Sequence, residues 1–433
     1  MKLKHITATL LSFCVVTLSG IKIAEAASFT VIADGLDNAQ GLSVGPDGSV
    51  YVVEAGKGGS SPCVPPPSGQ GDNLCYGASG AVTRIKDRKQ ERVLTGLPSI
   101  SGASGAQASG SRDIIFDKTG KPYVLVGLGA NPANRDATLG NTDLGKIIAP
   151  DFNTNTWTSI SDIAGYELTN NPDGENISSS PISFLIDGNN FVLVDSSANT
   201  LLSVGTDGSN LQAIAVIPKQ TITNPVFPPS NTPSVEPSEV PDSPEPPPIA
   251  EFATQAVPTG VTKGPDGAYY VSIYTGFPFP EGGAKIYRVS SDGQPTVYAD
   301  GFTQLTDLSF DAEGNLYALQ YANESAWKGN LEGSLIKVAL DGTRTTIVSG
   351  DGLQAPGGLA ISSDGAIYVT NQSGRPGQGQ VLRVNNPKSV PESSSTIGIL
   401  VLSAFSIYQL RKGKQKALLI STYSHFQVNR PQM

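Results

Sequence analysis

The chain has 433 residues and a formal net charge of −9; its ends carry +2 (1–28) and +5 (388–433), so the body between them holds −16. A surface of that sign repels nucleic acid and anionic lipid and suits cations, neutral solutes or basic partners. Both histidines, His5 and His425, lie in the ends, which excludes a Ser-His-Asp triad, a Cys-His dyad and a His-ligated zinc from the body.

At the N-terminus Lys2, Lys4 and His5 precede a mostly apolar run, 6–18, and Ala24-Glu25-Ala26 puts small residues where a signal peptidase reads. The run is short for a membrane span. The pattern predicts an export signal over 1–26, cleaved after Ala26. The body that follows, of about 360 residues, is long enough for a large core. Its two cysteines, Cys63 and Cys75, share one Pro/Gly-rich loop. In an exported chain such a pair reads as a disulfide, and the spacing is far wider than that of a C-x-x-C redox or metal pair.

From residue 41 the body repeats one unit: a short apolar strand, an Asp-Gly turn, and a strand of aromatic and β-branched residues. The turns are Pro46-Asp47-Gly48, 117–120, Asp187-Gly188, Pro265-Asp266-Gly267, 311–314 and Asp364-Gly365. Asp-Gly between alternating apolar strands is a hairpin signal, because glycine supplies the positive φ the turn needs. A third strand follows in each unit (81–85, 145–148, 200–204, 285–289, 334–338, 380–384). A fourth follows in five (91–94, 157–160, 211–216, 295–298, 345–348). Six such units predict an all-β, six-bladed β-propeller of the NHL/TolB-like kind over 29–388. The sixth unit lacks its outer strand, while 29–33 is a strand without a partner. The expectation is that the N-terminal strand closes the last blade and leaves no exposed edge. Residues 219–255, rich in proline and acidic side chains, interrupt the pattern and read as an extended insertion.

The longest loops, 54–80, 127–144, 273–284, 320–333 and 371–379, fall on one propeller face, where function is expected. Polar residues just before first strands or just after second strands are candidates for the channel mouth: Glu54, Arg112, Asp113, Asp195, Asn199, Asp307, Gln320 and Asn371. Oxygen donors converging from several blades suit a hard cation such as Ca²⁺, with Glu54, Asp113, Asp195 and Asp307 as ligands. Each also has a plainer role in capping a turn. The run Thr275-Gly276-Phe277-Pro278-Phe279-Pro280 offers two flat rings that either stack on a sugar or aromatic ligand or cover a blade edge.

Beyond the body, Val390-Pro391-Glu392, an apolar stretch 397–410 and the cluster Arg411, Lys412, Lys414 and Lys416 form a stop-transfer arrangement. It resembles the PEP-CTERM sorting signal, with Ser393 in place of a usual second proline and an extra segment, 417–433, after the cluster. The tail over 389–416 is expected to hold the protein at a membrane, in the periplasm or at the cell surface.

Several body motifs are similar to the ScyD/ScyE family, named from the cyanobacterial gene cluster for the pigment scytonemin. They include Gly45-Pro46-Asp47-Gly48 with Tyr51-Val52-Val53-Glu54-Ala55-Gly56, the Cys63–Cys75 loop, Gly127-Leu128-Gly129-Ala130-Asn131-Pro132, Ala256-Val257-Pro258-Thr259-Gly260 and 275–280. The resemblance spans about 29–385 and implies a secreted propeller; it assigns no catalytic residue and no link to scytonemin. The family pattern often has Pro-His-Asp where this chain has Ser111-Arg112-Asp113. Two functions are therefore expected. One is an extracytoplasmic binding or scaffold module for a small neutral or cationic ligand, a polysaccharide or a protein. The alternative is a Ca²⁺-assisted hydrolase or lactonase working in the central channel through Glu54, Asp113, Asp195, Asp307 and Asn371.

Overall fold

The computed structural model describes residues 28–67, 71–229 and 250–385. The expected export signal (1–26), the expected tail (389–416), the segment 417–433 and the centre of the proline-rich insertion lie outside them. The described strands form five four-stranded antiparallel blades, one five-stranded blade in which the short strand Cys63–Val64 also pairs, and one two-stranded ribbon. From the channel outward, blade one is Ala39–Val44, Val50–Glu54, Leu74–Lys86 and Lys89–Ser101. Blade two is Ser111–Phe116, Pro122–Val126, Lys146–Asp151 and Thr156–Asp162. Blade three is Pro181–Asp187, Asn190–Asp195, Thr200–Gly205 and Gln212–Val216. Blade four is Pro258–Lys263, Tyr269–Ile273, Ala284–Val289 and Pro295–Phe302. Blade five is Leu305–Phe310, Leu316–Gln320, Glu332–Val338 and Arg344–Gln354. Blade six is Leu359–Ile361, Ile367–Asn371 and Gly379–Asn385, with Ser28–Leu36 as its outer strand.

The Asp-Gly turns form as their chemistry requires. Asp47 Oδ1 accepts the Ser49 amide at 3.1 Å and Gly48 takes φ 74°, a conformation that costs glycine nothing. Each first strand packs on the first strand of the next blade, and the last returns to the first, so the six close a ring around the channel. Second strands lie between neighbouring blades, and those of blades one and five are buried along their whole length. The apolar clusters accordingly cross blade boundaries. Val53, Val82 and Leu94 of blade one meet Ile114, Val124 and Val126 of blade two, and Val192, Val194 and Leu201 of blade three meet Val261, Val271 and Tyr287 of blade four.

The N-terminal strand closes the ring as its sequence implies, with Phe29 opposite Val384, Val31 opposite Leu382 and Ala33 opposite Val381. Asn385 Nδ2 adds a hydrogen bond to Thr30 Oγ1 at 2.8 Å, 355 residues away in sequence. Cys63 and Cys75 are joined by a disulfide across a short strand pair.

Three elements depart from the sequence reading. The third and fourth strands of blade one are longer than expected and project past the blade to meet the disulfide loop. An eight-residue helix, Ile163–Asn170, joins blades two and three; Asp162 caps it by accepting the Gly165 amide at 2.8 Å. The base of the proline-rich insertion is paired: Gln220–Thr223 zips antiparallel to Glu251–Thr254.

Candidate functional site

In five first strands the pairing with the second strand slips at the same step, between Ala39 and Leu42, Ser111 and Asp113, Pro181 and Ser183, Pro258 and Gly260, and Leu305 and Asp307. A bulge breaks the strict in–out alternation of a strand. Successive residues therefore both face the channel: Gln40 with Gly41, Arg112 with Asp113, Ile182 with Ser183, and Thr306 with Asp307 line one cavity of about 700 Å³. It opens among the long loops, as shown by Pro67, Gln107, Tyr274 and Tyr321 in its wall. A second hollow of about 550 Å³ lies on the hairpin face. Asp113, Ser183 and Asp307 line both, so they mark the waist of the channel.

The waist is built by repetition. Asp113 Oδ1 accepts its neighbour Ile114's amide at 2.8 Å, and Oδ2 accepts the Phe184 amide of blade three at 3.1 Å. Asp307 repeats the arrangement with Leu308 at 2.8 Å and with Leu359 of blade six at 2.7 Å. Each carboxyl occupies space left by a glycine on the preceding blade: a Cβ on Gly41 would strike Asp113, and one on Gly260 would lie 2.9 Å from Asp307 Oδ1. Burial pushes the Asp307 carboxyl up to about 7. Burial and then the like charge of Asp307 push Asp113 well above the usual carboxylate range. Both waist carboxyls are thus held above the usual carboxylate range, against the pull of the amides they accept.

Above it, Arg112 lines the cavity. Its Nη1 donates to Gln40 Oε1 at 2.9 Å and its Nη2 to Ser109 Oγ at 3.1 Å, both neutral acceptors. Its Nε is buried with no partner among the described residues. Burial brings the guanidinium down to about 10, so it remains charged at neutral pH.

The other candidates serve the framework, which corrects the expectation that they ring the channel mouth. All but Asn199 sit at the end of a second strand and accept a backbone amide from the connection entering their own blade. Glu54 takes Asp37 N at 2.8 Å, Asp195 takes Ser180 N at 2.7 Å, Gln320 takes Thr303 N at 2.8 Å and Asn371 takes Gln354 N at 2.7 Å. Asn199, just before blade three's third strand, accepts Val257 N at 3.1 Å from the connection entering blade four. Glu54 is fully buried and also holds Arg92 through Nε at 2.9 Å and Nη2 at 2.6 Å. Asp195 also accepts Ser179 Oγ at 2.6 Å and the Ser197 and Ala198 amides, and burial still raises it. None of these five lines the cavity. The proposed Ca²⁺ ligands are therefore not brought together: two face the channel with both oxygens on amides, and two point into the framework. Among the described residues no group of three or more His, Cys, Asp or Glu is placed to hold a metal ion.

Sequence reasoning found Phe279 but missed the two tyrosines that complete an aromatic wall. Tyr274, Phe279 and Tyr321 line the cavity. Tyr274 meets Phe279 with ring centroids 5.8 Å apart and Tyr321 at 5.6 Å. The row continues outward through Phe277, 6.0 Å from Phe279, to Phe227 at 5.7 Å and Phe252 at 5.3 Å, at the base of the proline-rich insertion. Phe277 is 48% exposed. In the 275–280 run Phe279 lines the cavity and Phe277 packs toward the ribbon. The available signal for Tyr274 and Tyr321 was an aromatic residue just after a second strand.

No family model matches the sequence, and no curated protein matches it. Solved structures do. A gluconolactonase from Xanthomonas campestris is 10% identical with a TM-score of 0.46, over 83% of this chain and 89% of that one. The calcium-binding protein regucalcin from Agrobacterium tumefaciens is 10% identical with a TM-score of 0.44, over 83% and 94%. Virginiamycin B lyase from Staphylococcus aureus is 12% identical with a TM-score of 0.42, over 82% and 99%. At such identities the likeness concerns fold.

Proposed function

We propose that this propeller is an exported binding module of the ScyD/ScyE type that holds a small, ring-containing ligand at the channel mouth. The observation that carries the reading is the row of aromatic rings ending in the 700 Å³ cavity. A cavity of that size with an apolar wall and a few placed polar groups is the usual form of a small-molecule site. Flat rings bind sugars and aromatic solutes through their faces at little conformational cost. The alternative, metal-assisted hydrolysis, loses its basis because Glu54, Asp195 and Asn371 serve the framework.

Binding is tested by ligand-observed NMR on the full chain with phenol, indole and short oligosaccharides, in wild type and Tyr321→Ala. Signals that appear with wild type and weaken at least fivefold in the variant support the reading; equal signals in both oppose it. Export and anchoring rest on the 1–26 and 389–416 segments. Cell fractionation after deleting 397–416 should release the protein from the membrane fraction, and unchanged retention would refute the tail's role.

A further inference from the structure

We infer that the ligand held at the channel mouth is an organic carboxylate, with Arg112 as its anchor. This rests on the binding-module reading and names the class of ligand. Arg112 is partly buried and its Nε is cut off from solvent; a guanidinium so placed is costly without a counter-charge, and folded proteins keep such groups paired. Arg112 sits in the cavity wall with only amide and hydroxyl oxygens as partners and with its Nε unmatched among the described residues.

The charged groups around it do not supply the missing anion. Asp113, next in sequence, has both oxygens on backbone amides of its own blade and of blade three. Asp307 is likewise held by amides on the other side of the ring. Glu175, the one other carboxylate of the cavity wall among the described residues, pairs with Lys219 at 2.7 Å. The described residues thus leave the guanidinium without an anion, and a planar carboxylate matches its fork.

The place of Arg112 is prepared rather than accidental. Its side chain lies over Gly127 at the end of blade two's second strand, where a Cβ would come within 2.9 Å of Cγ and 3.1 Å of Nε. In a ring of six, blade two faces blade five, whose loop carries Tyr321; Tyr274 and Phe279 hang from blade four beside it. A ligand with its carboxylate on Arg112 thus directs its ring toward the aromatic wall. The body's negative charge works against anions in general, so a ligand that also uses the rings is favoured over simple salts.

The test is a calorimetric titration of the full chain at pH 7.5 and physiological salt with two matched pairs: benzoate against benzamide, and glucuronate against glucose. The carboxylate of at least one pair should bind at least tenfold more tightly than its neutral partner. Arg112→Met should abolish that preference while keeping the weaker neutral binding, and its Tm should equal or exceed wild type, since a desolvated Nε without a partner is gone. Gly127→Ala, which crowds the guanidinium, should weaken carboxylate binding alone. If neutral and charged members bind alike, or if Arg112→Met keeps the preference, the carboxylate inference falls and the binding module stands. If no member binds, both fall.

Discussion

Two buried carboxyls show how this protein handles charge residue by residue. Glu54 is satisfied: Arg92, Thr83 and the Asp37 amide saturate it. Replacing Arg92 by Met leaves that carboxylate buried without its cation. Allowing for the 45% exposure of the Arg92 side chain, the cost should be about 2–3 kcal/mol in urea unfolding. The double variant Glu54→Leu/Arg92→Met should recover part of it, and additive losses would show that the pair is not coupled. Glu167 is the opposite case. It is 2% exposed on the buried face of the 163–170 helix, and neither carboxyl oxygen has a partner among the described residues. Burial, then the charges of Asp195 and Asp173, raise it from 4.5 to about 7. Below pH 4.5 it is neutral in both folded and unfolded chains. Between 4.5 and 7 the unfolded chain ionises first, so stability falls as pH rises and levels off above 7. Glu167→Gln should match wild type near pH 4 and melt roughly 2 °C or more higher at pH 8. A residual slope from Asp113 and Asp307 should persist, and parallel melting curves for the two proteins would contradict the assignment.

At the scale of the element, the recurring bulge in the first strands explains both the site and the errors in reading it. Position three of five first strands runs Gly41, Asp113, Ser183, Gly260 and Asp307 around the waist, with Gly358 just before the sixth, so carboxyls and glycines interlock between blades. Gly41→Ala places a methyl group against Asp113 and 2.7 Å from the Arg112 carbonyl. The backbone there cannot yield easily, so the change should cost about 2–3 kcal/mol, read as a lowered urea midpoint with an unchanged slope. A neutral outcome would mean the waist is looser than its contacts indicate. Strand number, order and ring closure were legible because Asp-Gly turns and period-two alternation are local signals. Arg112, Asp113 and Asp307 were legible as channel residues for the same reason. Glu54, Asp195, Gln320 and Asn371 were misplaced because the end of a second strand lies one layer farther out, beside the incoming connection. Sequence alone does not distinguish an oxygen that accepts an amide from one that faces solvent. The 163–170 helix was hidden because Glu167 occupies its buried face and breaks the apolar stripe that marks a helix.

At the scale of the whole molecule, closure depends on a strand that comes first in the chain and pairs with the last. Ser28–Leu36 buries Ala33 and Leu36 against Ala39, Leu42 and Val381 and covers the open edge of Gly379–Asn385. The pairing is entropically expensive, because it joins segments more than 350 residues apart, but loop entropy grows only slowly with length. Closure is thus held by one antiparallel ladder and a small apolar cluster. Removing 28–36 should leave five complete blades and one with a bare edge, the kind of edge that recruits another chain. The truncated protein should lose at least about 5 °C in Tm, on the order of 4 kcal/mol for a chain of this size, and should form dimers or larger species by light scattering. A synthetic peptide of 28–36 added in excess should restore a monomer by strand addition, and a scrambled peptide should not. Unchanged melting and a monomeric truncated protein would mean that the inner ring of first strands closes the propeller without its outer latch.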